Sequence, residues 1–190
     1  MEMTQSQRLP VPQQQAWAAL NDTDLLKRCI PGCESMEPDG ENAWLVVLTA
    51  AIGPVKARFR GRMALQDIQA PDSYTIAFDG QGGAAGFGKG TANVRLEPDG
   101  GDTVLSYAVH AQVGGKIAQI GSRLVDGAAR KMADSFFAAF RRELTEPAGN
   151  DAQAAGEDAE PLAAEPAQQN DKTEEPDKRK GSWTAWISKS

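Results

Sequence analysis

One histidine, two cysteines and one glycine-rich run are the residues of this chain whose types suggest chemistry. His110 lies in TVLSYAVHAQV, where Leu105, Tyr107, Val109, Ala111 and Val113 form the more apolar face. Strand alternation then points His110 outward. A lone histidine excludes a zinc site built from several histidines. Cys29 and Cys33 flank Pro31-Gly32, and no second Cys/His pair completes the four ligands that zinc usually takes. Their expected role is structural, at a helix end. The Gly-x-Ser-x-Gly string of a strained serine nucleophile is absent. The run from Gly80 to Gly90 (GQGGAAGFGKG) hints at a phosphate loop. A phosphate loop feeds a helix N-terminus, whereas this one runs into TANVRL, a strand pattern. It reads as a pliable connection at the rim of a cavity. The sequence thus offers no catalytic residue and no metal set.

The elements around these residues suggest a container. Residues 2–9 alternate as a first strand. Pro12 then suits the opening turn of a short helix, QQQAWAAL, and Asp22 or Thr23 caps a second, TDLLKRCI, which Pro31 stops. Strands are expected at 44–51, 55–63, 74–78, 91–96 and 103–113. Glu97-Pro98-Asp99-Gly100-Gly101 forms a turn. In the second of these strands Val55, Ala57, Phe59, Gly61 and Met63 alternate with Lys56, Arg58, Arg60 and Arg62. That cationic stripe is either a solvated sheet face or a docking surface for an acidic protein or anionic lipid headgroups. Residues 114–144 read as one long amphipathic helix. Its apolar face is Ile117, Ile120, Leu124, Ala128, Met132, Phe136 and Phe140. The expected class is α+β: a curved antiparallel sheet around a long C-terminal helix, with two short helices after strand 1. The expected cavity wall is Val55, Ala57, Phe59, Tyr74, Ile76, Phe78, Ile117, Ile120, Leu124, Met132 and Phe136. With no buried charged partner in view, the ligand there should be mostly apolar.

Charge separates body from tail. The chain carries a formal net charge of −6, yet residues 1–144 hold 16 acidic and 15 basic residues. The acidity therefore belongs to an Ala/Glu/Pro-rich linker at 146–182. Its composition predicts disorder, while 1–145 forms the ligand-binding domain. No basic excess exists to neutralise phosphates, so a nucleic-acid partner is not expected. The first residues lack an apolar signal-peptide core, no run of 18 apolar residues occurs, and a cytoplasmic location follows as the expectation. The tail 183–190 joins Trp183, Trp186 and Ile187 at one-turn spacing, after Lys178, Arg179 and Lys180. Tryptophans beside cations suit a membrane surface.

Several strings together resemble one known family: Ala18 to Asp22 (AALND), Cys29 to Glu34 (CIPGCE), Ile52 to Ala57 (IGPVKA), Gly80 to Gly83 (GQGG) and Val113 to Gly121 (VGGKIAQIG). They are similar to the carbon monoxide dehydrogenase G-subunit family of the START-like, SRPBCC superfamily, over about residues 1–145. The resemblance implies a helix-grip (START/Bet v 1-like) fold. It implies a molybdenum-containing hydroxylase as partner, typically carbon monoxide dehydrogenase, recruited to the inner membrane face. It also implies a bound quinone (menaquinone or ubiquinone) or lipid. Members often end in a membrane-seeking segment; here the last segment, SWTAWISKS from Ser182, is nine residues and polar-flanked. The resulting expectation is a non-enzymatic accessory protein, peripherally attached to the membrane. The alternatives are a helix-grip enzyme of cyclase or hydrolase type, and a ligand-free assembly factor for the hydroxylase.

Overall fold

The computed structural model describes residues 1–146. Its elements run β1 (Glu2–Leu9), α1 (Gln13–Leu20), α2 (Thr23–Cys29), β2 (Cys33–Pro38), β3 (Ala43–Ile52), β4 (Val55–Gln69), β5 (Ser73–Gln81), β6 (Phe87–Asp99), β7 (Asp102–Gly114), α3 (Lys116–Gln119) and α4 (Ser122–Thr145). The seven strands form one antiparallel sheet in the order β1-β7-β6-β5-β4-β3-β2. The sheet curves around α4 in the helix-grip arrangement. The segments expected at 146–182 and 183–190 lie outside the described residues, Glu146 apart.

Local chemistry sets these elements. Pro12 precedes α1, and its carbonyl accepts from the backbone N–H of Gln15 and Ala16 at 2.9 and 3.0 Å. The Asp22 side chain caps α2 by accepting from the Leu25 N–H at 3.0 Å. α1 is pinned to the sheet end by Gln13, whose amide donates to the Leu96 carbonyl at 3.0 Å. Thr103, fully buried, donates to the Val11 carbonyl at 2.8 Å. Gly100 and Gly101 make a two-residue hairpin between β6 and β7. β2 is not among the strands expected from sequence, because its residues carry little period-two signal; its pairing with β3 slips between Cys33 and Ser35.

The glycine-rich run is shorter as a loop than its composition suggests. β5 extends to Gln81 and β6 begins at Phe87, with a single 3₁₀ turn at Gly83–Ala85 between them. The Phe59 ring lies directly on Gly82, where any Cβ would collide with it.

The long helix expected over 114–144 is interrupted. β7 continues to Gly114, α3 is one turn, and α4 starts afresh after Gly121. Gly121 has φ +98° and ψ 145°, a conformation essentially reserved for glycine. The break resets the rotational phase of the helix, and this corrects the apolar face read from sequence. Val125, Phe137 and Phe140 are the buried side chains of α4, while Leu124 is 49% exposed.

The hydrophobic core gathers at one end. Leu9, Ala16, Leu20, Cys29, Leu96, Leu105, Phe137 and Phe140 all belong to it. Arg28 joins α2 to α4 there, donating to Glu143 at 2.7 Å. Toward the β3–β4 hairpin, inward side chains such as Leu48, Phe59, Phe78 and Met132 remain only half-buried.

Candidate functional site

The space between the sheet and α4 is a cavity of about 210 Å³. Strand pairing builds one wall in rows. Leu65, Ile76 and Ala92 stand side by side across β4, β5 and β6. Tyr74, Val94 and Tyr107 do the same across β5, β6 and β7. Alternation puts every second residue of each strand on this face. Trp44 and Met63, paired across β3 and β4, extend it. Phe136 and Phe137 of α4 close the opposite side, and Leu20, Asn21, Leu26 and Ile30 from the two short helices close the end. Among the described residues, no charged side chain lines the space.

Aromatic contacts hold the wall. Trp17 meets Tyr74 edge-on with centroids 5.4 Å apart, and Tyr107 stacks on Phe137 at 5.4 Å. Phe136 packs on Phe137 and Phe140 at 5.0 and 5.5 Å. Polar groups are few. The Tyr107 hydroxyl donates to Gln5 Oε1, its cross-strand neighbour. The Asn21 amide, exposed at the rim, donates to the Trp17 carbonyl at 2.8 Å. Burial pushes the phenols of both Tyr74 and Tyr107 up, with the charge of Asp134 adding to the rise at Tyr107. Both are neutral hydroxyls at ordinary pH.

Of the wall residues expected from sequence, the structure brings Tyr74, Ile76 and Phe136 together around the cavity. The other eight are not on its lining. Val55, Ala57 and Phe59 share the inner face of β4 but lie toward the β3–β4 hairpin. Phe78 is half-buried on β5 and Met132 half-buried on α4. Ile117 is buried in α3, and Ile120 and Leu124 close over Gly53 of the hairpin. The reason is the break at Gly121 and the placement of α1 and α2, which put the cavity at the opposite end. Leu105 and Tyr107 carry a legible signal, being on the apolar face of β7. The contributions of Leu20, Leu26 and Ile30 have none, since no local pattern says that the short helices cap the sheet.

The cationic stripe lies on the convex face and is partly neutralised. Arg58 pairs with Glu34 at 2.6 Å and Arg62 with Asp39 at 2.6 Å. The hydrogen bonds from Arg58 and Thr49 hold the Glu34 carboxyl below its usual range. Lys56 and Arg60 form no ion pair among the described residues, and Leu45, beside Arg62, is 47% exposed. His110 faces outward as expected, 3.2 Å from Glu2. Lys178, Arg179, Lys180, Trp183, Trp186 and Ile187 lie outside the described residues. Among those described, no three His, Cys, Asp or Glu side chains gather to hold a metal, and no helix is long and apolar enough to cross a membrane.

Comparison with known proteins places these features. A family model described as the G subunit of carbon monoxide dehydrogenase (CoxG) matches residues 6–145. No curated protein sequence matches the chain. Among solved structures, a conserved protein from Geobacillus kaustophilus is 32% identical, with a TM-score of 0.72 over 76% of this chain and 95% of that one. A Thermus thermophilus protein is 16% identical, with a TM-score of 0.58 over 76% of this chain and 97% of that one. The Zhui aromatase/cyclase from Streptomyces sp. R1128 is 14% identical, with a TM-score of 0.55 over 76% and 93%. The last two similarities speak for the fold alone.

Proposed function

The chain belongs to the carbon monoxide dehydrogenase G-subunit (CoxG) family, and from that premise we propose that it is a non-enzymatic accessory protein that carries an apolar ligand for a molybdenum hydroxylase. The observation that carries this reading is the cavity itself: framed by sheet and helix, lined by aliphatic and aromatic side chains, and with no charged side chain on its wall among the described residues. Among the described residues the lining offers no carboxylate, amine, imidazole or thiol, its only ionisable groups being the Tyr74 and Tyr107 phenols, and it favours an uncharged ring or chain.

Size narrows the ligand. A dry apolar cavity of about 150 Å³ takes up benzene, so 210 Å³ admits a ring system but not an isoprenoid chain as well. In this reading a quinone seats its ring inside and leaves its chain outside. The family's description as a subunit supports a carbon monoxide dehydrogenase-like enzyme as partner. Lys56 and Arg60 supply cations for that contact, and the Trp183/Trp186/Ile187 tail supplies attachment to the inner membrane face.

Mass spectrometry of the solvent-extracted protein tests the ligand. The expected result is bound quinone or lipid, or stoichiometric uptake of added menaquinone or ubiquinone. A protein that neither contains nor takes up either has no such role. Co-sedimentation with anionic liposomes tests the tail, since a chain lacking 183–190 should bind them less, and equal binding removes the anchor.

A further inference from the structure

We propose that the Tyr74 hydroxyl is the polar recognition point of the cavity, selecting ring ligands that carry an oxygen over hydrocarbons of the same shape. This rests on reading the cavity as a ligand site. Tyr74 is 5% exposed and lines the cavity from β5. Its ring is fixed by the edge-on contact with Trp17. The other polar groups around the space are committed or wet. Tyr107 gives its proton to Gln5, Asn21 is exposed and holds the Trp17 carbonyl, and Trp44 is half-exposed.

The Tyr74 hydroxyl forms no hydrogen bond among the described residues, and burial is the sole cause of its raised pKa. The residue is buried, yet its hydroxyl oxygen is not one of the sealed, unpartnered side-chain atoms, so the group stays accessible without a protein partner. An oxygen on a ligand ring would meet it in place of water. A hydroxyl also donates, accepts and turns to suit. It can therefore donate a hydrogen bond to the carbonyl of an oxidised ring and accept one from the hydroxyl of the reduced one. A guanidinium could only donate and a carboxylate could only accept. Because the phenol stays protonated, this versatility holds across the ordinary pH range.

The test compares the full chain with its Tyr74→Phe variant. Binding of menadione, of its dithionite-reduced hydroquinone and of 2-methylnaphthalene is read by calorimetry or by tryptophan fluorescence, since Trp17 and Trp44 border the site. Affinity for the two oxygenated rings should fall about tenfold, the worth of one good hydrogen bond, while the hydrocarbon binds both proteins alike. The ligand-free variant should melt no lower than the wild type, since it loses no internal bond. The inference is overturned if menadione binds the variant unchanged, if all three probes weaken equally, or if the free variant is clearly less stable. If no probe binds the wild type, the ligand-site reading falls as well. If all bind without regard to Tyr74, only the present inference falls.

Discussion

Tyr107 of β7 and Phe137 of α4 stack with their ring centroids 5.4 Å apart and their planes 27° from parallel. This contact fastens the long helix to the sheet beside the cavity, and Phe137 is 6% exposed. Phe137→Ala should cost about 3–5 kcal/mol in a urea titration, whereas the exposed neighbour Ser135→Ala should stay within about 0.5 kcal/mol of wild type. A loss under about 1 kcal/mol at Phe137 would mean that the helix is held elsewhere.

Two glycines in the C-terminal region should respond in opposite directions. Gly121 holds a backbone conformation that a side chain resists, so Gly121→Ala should lose about 1–3 kcal/mol. Gly127 sits within α4 with open space around its Cα, and Gly127→Ala should gain about 0.5–1 kcal/mol. Equal shifts in thermal midpoint for the two would contradict the break between α3 and α4.

Glu34 makes stability depend on acid. Its carboxyl is held below the usual range by the hydrogen bonds from Arg58 and Thr49, so it stays charged in the folded state. A depressed folded pKa contributes stability that is full above the unfolded value, about 4.3. That contribution disappears as pH falls through the lower folded pKa. Glu34→Gln should flatten this part of the acid limb below about pH 4 and leave the neutral-to-alkaline slope alone. An unaltered acid limb in the variant would rule the linkage out.

The stripe on the convex face should act through its unpaired members. If the proposed molybdenum hydroxylase docks on this stripe, Arg60→Glu should slow their association on the order of tenfold at low salt, with the difference shrinking as salt rises. Arg58→Ala should do less, because Glu34 already neutralises that position. Surface plasmon resonance at two ionic strengths separates these outcomes, and an Arg60 variant indistinguishable from wild type would leave the stripe as solvated surface.

How much of this molecule is legible in its sequence depends on the range of the interaction. The period-two stripe at 55–63 gives the inner and outer faces of β4 without help, and the same alternation turns His110 outward. Asp22 and Pro12 mark the starts of α2 and α1 through chemistry confined to one turn. The cavity wall resists because it depends on phase and on distant packing. Reading 114–144 as one helix puts Leu124 inside; a single residue at positive φ, Gly121, rotates the helix beyond it and puts Val125 there instead. Which end of the sheet is filled depends on Leu20, Leu26 and Ile30, whose neighbours in space are far away in sequence.

The slipped pairing of β2 has a consequence beyond its own geometry. This strand is one of the two free margins of an unclosed sheet. A margin with regular exposed backbone invites another chain to add itself, and over-long stacks of copies begin that way. Here the offset between Cys33 and Ser35, the carboxylates of Glu34 and Glu37, and the terminal Pro38 deny an incoming strand an even row of donors and acceptors. The wall can thus stay open at its side without becoming adhesive.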